Sequence, residues 1–155
     1  MAKFVYRLKK VFELRERRVK EQEQKVIDAK KVVAEIQAKI DDKKKEAVLV
    51  RQNMATTPHT LLEAHHVYIQ KCNKDVRLLE MDKNEANAKV KVETDELKKR
   101  QAELEALEKH KEKAKEEWLE EQKAIEMKKL DEVASQRYFR NQQIAAEEEA
   151  AEYEH

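Results

Sequence analysis

Starting at Val5, steps of three and four residues alternate without a slip through Val5, Leu8, Phe12, Arg15, Val19, Gln22, Val26, Ala29, Val33, Ile36, Ile40, Lys43, Ala47, Val50 and Met54. Twelve of these fifteen positions are apolar. A mean step of about 3.5 is the period of a left-handed supercoil, in which one apolar stripe keeps facing its partner. The series stops at Ala55-Thr56-Thr57-Pro58-His59 and resumes as Leu62, His65, Ile69, Cys72, Val76, Leu79, Lys83, Ala86, Val90, Glu93, Leu97, Arg100, Leu104 and Leu107. It weakens through Lys111, Ala114, Trp118, Glu121 and Ile125, then shifts phase to Met127, Leu130, Val133 and Ala134.

The break has a local cause. The residue before a proline is pushed out of the helical region, so Thr57 is a stop. Pro58 suits the first position of a new helix, where its missing N–H costs nothing, and Thr57 suits the cap before it. The expected fold is therefore all-α: helix one over about 3–55, a turn at about 56–59 and helix two over about 60–146. An acidic tail at 147–155 is expected to fray, and the whole is expected to be one coiled-coil domain.

A short connection favours antiparallel neighbours. Folding about the break pairs residues whose numbers sum to about 116. Ala47 then meets Ile69, Ile40 meets Val76, Val26 meets Val90, Val19 meets Leu97 and Phe12 meets Leu104. Gln22 falls opposite Glu93. Arg15 falls opposite Arg100, a like-charge layer that must snorkel outward or find carboxylates. A monomeric hairpin is the favoured reading, and a parallel homodimeric coil is the alternative. Helix one is used up near residue 111, so the longer second helix overhangs with Trp118, Leu119, Ile125, Met127, Leu130, Val133, Tyr138, Phe139 and Ile144 uncovered.

The chain contains no glycine. Phosphate-cradling loops need it, so neither a P-loop nor a dinucleotide fingerprint is present. A two-stranded coil offers a seam rather than a concave site, and no enzyme activity or cofactor is expected. His59, His65, His66, His110 and His155 form no ligand set. His65 and Cys72 share a face, but two ligands do not make a metal site. Cys72, the only cysteine, reads as a small buried hydrophobe. Charged residues make up 43% of the chain, yet the formal net charge is only +1, which argues against nucleic acid as a partner. Residues 1–55 carry 16 basic and 9 acidic side chains, whereas AAEEEAAEYEH carries five acidic and no basic ones. No apolar run approaches the roughly 18–20 residues needed for a membrane span, and the N-terminus lacks a signal peptide, so a soluble intracellular protein is expected.

Aromatics cluster near both ends: Phe4, Tyr6 and Phe12 at the start, and Tyr138, Phe139 and Tyr153 at the finish. Phe4, Val11 and Leu14 lie off the seam, so the apolar face there is wider than one coil partner needs. Either the C-terminal segment caps this end or another protein docks on it. A smaller off-seam patch, with Val48, Leu49, Leu61, Val67 and Tyr68, lies near the turn.

The opening Phe4-Val5-Tyr6-Arg7-Leu8-x-x-Val11-Phe12-Glu13-Leu14-Arg15-Glu16 resembles the F-x-[FY]-x-L-x-x-[VL]-L-x-[LY]-R-E pattern of the FliJ family of flagellar type III export proteins. Leu130-Asp131-Glu132-Val133-Ala134, followed by Tyr138-Phe139-Arg140, resembles that family's L-D-E-x-A motif. The resemblance implies an antiparallel coiled coil similar to the central stalk of rotary ATPases. It implies docking of the open end into a hexameric FliI-like export ATPase, binding to an FlhA-like export gate protein and escort of export chaperones. The implied place is cytoplasmic, peripheral at the inner face of the inner membrane, with no membrane insertion. The related YscO-like stalks of virulence secretion systems share the shape and less of the terminal motifs. On this reading Phe4, Tyr6, Leu8, Val11, Leu14, Arg15, Leu130, Val133, Tyr138, Phe139 and Arg140 mark the ATPase end. Leu49, Leu61 and Tyr68 are the candidate gate contact.

Overall fold

A computed structural model describes residues 2–154. It contains α1 (Lys9–Met54), one turn of 3₁₀ helix at His59–Leu61, and α2 (Leu62–Tyr153). No strand occurs among the described residues. The fold is an all-α helical hairpin in which the second helix is twice the length of the first, 92 residues against 46.

The chain packs as two compact units. One is Lys10–Ala106, and the other gathers Met1–Lys9 with Leu107–His155.

In the first unit the 3-4 series is the seam. The buried residues of α1 are Val19, Gln22, Val26, Ala29, Ile40 and Ala47, and every one belongs to the series. Ile69 and Cys72 are their buried counterparts on α2. Ile40 is only 2% exposed, and full burial of such a side chain contributes about 1.5–3 kcal/mol. The polar layers fix the antiparallel register. The Gln22 amide donates to both the backbone oxygen of Glu93 (2.9 Å) and its carboxylate. Gln22 is 1% exposed, and no buried side-chain polar atom among the described residues lacks a hydrogen-bond partner. Gln22→Ala should therefore lower stability by about 1–3 kcal/mol, read as a shift in the urea midpoint, because it removes a satisfied buried polar contact and opens a void.

The Arg15/Arg100 layer resolves by snorkelling. Arg15 donates to the Glu103 carbonyl at 3.2 Å, and Arg100 donates to the Arg18 carbonyl at 3.3 Å and to the Glu96 carboxylate at 3.3 Å. Each guanidinium leaves the seam for the rim of the facing helix, so the two charges do not share a space. With Ala47 and Ile69 both buried in this register, Ala47→Cys with Ile69→Cys in a Cys72→Ala background should oxidise to a disulfide within one chain. A product that migrates as a covalent dimer would refute the hairpin.

Three local expectations need correction. Helix one starts at Lys9, not at residue 3; residues 2–6 are non-helical because Phe4 and Tyr6 are drawn onto α2. Thr57 does not cap helix two. Its hydroxyl, with that of Thr56, donates to the Asn53 carbonyl and closes the end of α1, while Pro58 leads into the 3₁₀ turn. The hydroxyls thus satisfy the Asn53 carbonyl, the Thr57 N–H satisfies that of Met54, and no described residue takes a positive φ, which explains how a chain without glycine makes this turn. Finally, the acidic tail stays helical to Tyr153, since alanine and glutamate are strong helix formers.

Candidate protein-docking site

The terminal unit has no second helix beside most of α2. Residues 2–8 run along it as an irregular segment. The Phe4 ring packs on Trp118 with centroids 5.7 Å apart, and Tyr6 packs on His110 at 5.8 Å. The Tyr6 hydroxyl and His110 Nδ1 are hydrogen-bonded at 2.7 Å, and Tyr6 is buried. Leu107 is the buried α2 residue of this unit. Phe4 and Leu8 are half-buried. The aromatic cluster at the start of the chain is thus partly covered by the chain's own second helix. His110 and Trp118, the residues that cover it, were not among the site residues expected from sequence. The folded-back register could have found the first of them, since Tyr6 and His110 sum to 116.

From Lys123 to Glu154 every residue is exposed. This stretch carries Ile125, Met127, Leu130, Val133, Tyr138, Phe139 and Ile144, all at least 44% exposed. Leu130, Val133, Ala134, Arg137, Tyr138 and Asn141 line one shallow groove along the helix. Tyr138 and Phe139 stand edge to face, centroids 6.1 Å apart. The Tyr138 hydroxyl accepts a hydrogen bond from Gln142 one turn on (2.9 Å), which orients the ring. Phe139 and Arg140 do not line that groove, although both are exposed.

The remaining candidates lie in the hairpin unit. Val11 and Leu14 are exposed on α1, and Arg15 is held at the Glu103 carbonyl. Near the turn, Leu49 lines a groove with Lys44, Lys45, Val48 and Gln52, but neither Leu61 nor Tyr68 joins it. Leu61 is exposed, and Tyr68 is tied across the helix pair by donating to the Glu46 carboxylate at 3.1 Å. That bond to Glu46, and the charge of Glu46, hold the Tyr68 phenol above its ordinary pKa. Lys43, 3.4 Å from Glu46 and 3.8 Å from Asp75, is also held above its ordinary value, first by the Glu46 charge. Tyr68 is therefore part of a cross-helix polar cluster rather than a free apolar contact. Among the described residues no group of three or more His, Cys, Asp or Glu side chains could hold a metal ion, and no helix is long and apolar enough to cross a membrane.

Compared with known families, residues 4–143 match the family model described as Flagellar FliJ protein. The chain belongs to the FliJ family. The match spans both terminal motifs, from Phe4 to beyond Arg140. No curated protein and no solved structure matches the chain. Membership makes this FliJ-family protein a component of the flagellar export apparatus. In this chain the N-terminal motif is divided by the fold: its first half, Phe4 to Leu8, lies against α2, and its second half, Val11 to Glu16, is helical within α1.

Proposed function

We propose that this FliJ-family chain is a non-enzymatic stalk of the flagellar type III export apparatus. Its terminal unit docks into the hexameric export ATPase, and the chain links that ATPase to the export gate protein and to export chaperones. The observation that carries this reading is the uncovered apolar helix surface of Leu130, Val133, Tyr138 and Phe139, which coincides with the family's C-terminal motif. Contiguous exposed apolar surface on a helix is stable in water when a partner covers it in use. Phe4 and Tyr6 act at this site indirectly, by packing on α2, whereas Val11 and Leu14 remain exposed for contact.

A single asymmetric helical stalk cannot present six equal faces to a ring, so its contacts break the ring's symmetry. ATP turnover changes only if those contacts differ between ring states. The stalk works at the cytoplasmic face of the inner membrane, held there by its partners. Leu49, in the groove near the turn, is the contact for the export gate. The test is to add the purified chain to the cognate export ATPase and follow ATP turnover. Stimulation that saturates near one chain per hexamer is expected. Absence of both binding and stimulation would overturn the reading. Light scattering of the chain alone should give a concentration-independent mass near 18.4 kDa.

A further inference from the structure

The 3-4 series begins at Val5, yet the α-helix begins at Lys9. Nothing in the sequence between them explains the difference. There is no Pro or Gly, and no Ser, Thr, Asp or Asn stands immediately before Lys9 to cap a helix. The first turn of α1 contains no acidic residue, and Lys3, Arg7, Lys9 and Lys10 oppose the helix dipole wherever in this segment the start falls. Local propensity therefore does not choose Lys9.

The side chains show what does. In a helical continuation Val5 would sit on the seam and Tyr6 off it. The fold inverts this: Val5 is 79% exposed and Tyr6 only 6%. Tyr6 gains its burial through the ring contact and hydrogen bond with His110, and Phe4 reaches Trp118. An extended residue advances about 3.3 Å and a helical one about 1.5 Å, so a non-helical segment carries Phe4 further along α2 toward Trp118 than a helical one would. The pairing sum accordingly jumps from 116 at Tyr6–His110 to 122 at Phe4–Trp118.

We infer that residues 2–8 are a two-state strap: clipped to α2 through Tyr6–His110 and Phe4–Trp118, or released and added to the N-terminus of α1 as further helical turns. The two states compete for the same residues, because the strap needs Tyr6 on α2 and the helix needs Val5 there. Release uncovers Trp118 and lengthens α1. An element with two discrete packings is what allows a small local change to be transmitted along a helix.

Trp118 is the only tryptophan, so its emission reads the strap directly. Tyr6→Ala should shift that emission to the red and expose it to acrylamide, and backbone chemical shifts of residues 4–8 should turn helical. His110→Ala should do the same from the other side of the clip. Tyr6→Ala combined with Leu8→Pro should expose Trp118 without the gain of helix, since proline disfavours helix at the residue before it. Val5→Ala should change none of these signals. Unchanged Trp118 emission in Tyr6→Ala, or residues 4–8 that detach without becoming helical in both Tyr6→Ala and His110→Ala, would overturn the switch. These readings use the isolated chain, so their failure is separate from failure of ATPase docking.

Discussion

Val26→Asp should strongly destabilise the hairpin unit, while Ile27→Asp, one residue on, should leave its stability nearly unchanged. Val26 is 6% exposed and Ile27 is 57% exposed, although their side chains are of similar character. A carboxylate at 26 enters the apolar seam, at a cost of about 3 kcal/mol or more. The same group at 27 stays in water and costs only the difference in helix propensity, about 0.5 kcal/mol. Urea titration followed by helical circular dichroism separates the two. Equal midpoints would mean that the seam does not run through Val26. The pair also tests register rather than hydrophobicity in general, since a slip of one residue exchanges the two outcomes.

That experiment is available because the seam could be read from the sequence. A strict 3-4 alternation marks the stripe that must be covered, and folding it back about the break placed Gln22 opposite Glu93, where their hydrogen bonds lie. Arg15 and Arg100 were legible as a conflict, and the structure shows its relief at the rim. The seam was legible because burial there follows a period set by the backbone alone. The N-terminal segment was not, because its conformation is decided by two ring contacts with residues more than a hundred positions away, against its own periodicity. The same holds for the turn. Its proline marks the break, but which helix end the threonine hydroxyls serve depends on where the last carbonyls of α1 point. For the exposed stretch of α2, the sequence showed which residues had no counterpart on helix one. It could not show that Phe4 and Tyr6 are taken up by α2 while Tyr138 and Phe139 remain uncovered. The terminal motif residues thus sort into those that hold the unit together and those free to meet a partner.

The second large effect is expected at those uncovered rings. Tyr138→Ala with Phe139→Ala should leave the fold intact and weaken binding to the export ATPase by about 30-fold or more, the loss typical when an interface loses an aromatic anchor. Both rings are more than 60% exposed, so their removal opens no cavity, and alanine is at least as good a helix former as either. Helicity and the urea midpoint should therefore stay near wild type. The contact each ring makes in the free chain is with the other, at 6.1 Å, and with Gln142 through the Tyr138 hydroxyl. Removing both at once avoids leaving one ring free to repack. Titration of the double variant against the ATPase, with turnover as the signal, gives the affinity and the maximal stimulation separately. A shift in affinity alone assigns the rings to docking. A loss of maximal stimulation at saturating stalk assigns them to the difference between ring states. Unchanged values of both would remove Tyr138 and Phe139 from the interface and leave Leu130 and Val133 as the part of the exposed helix still to be tested.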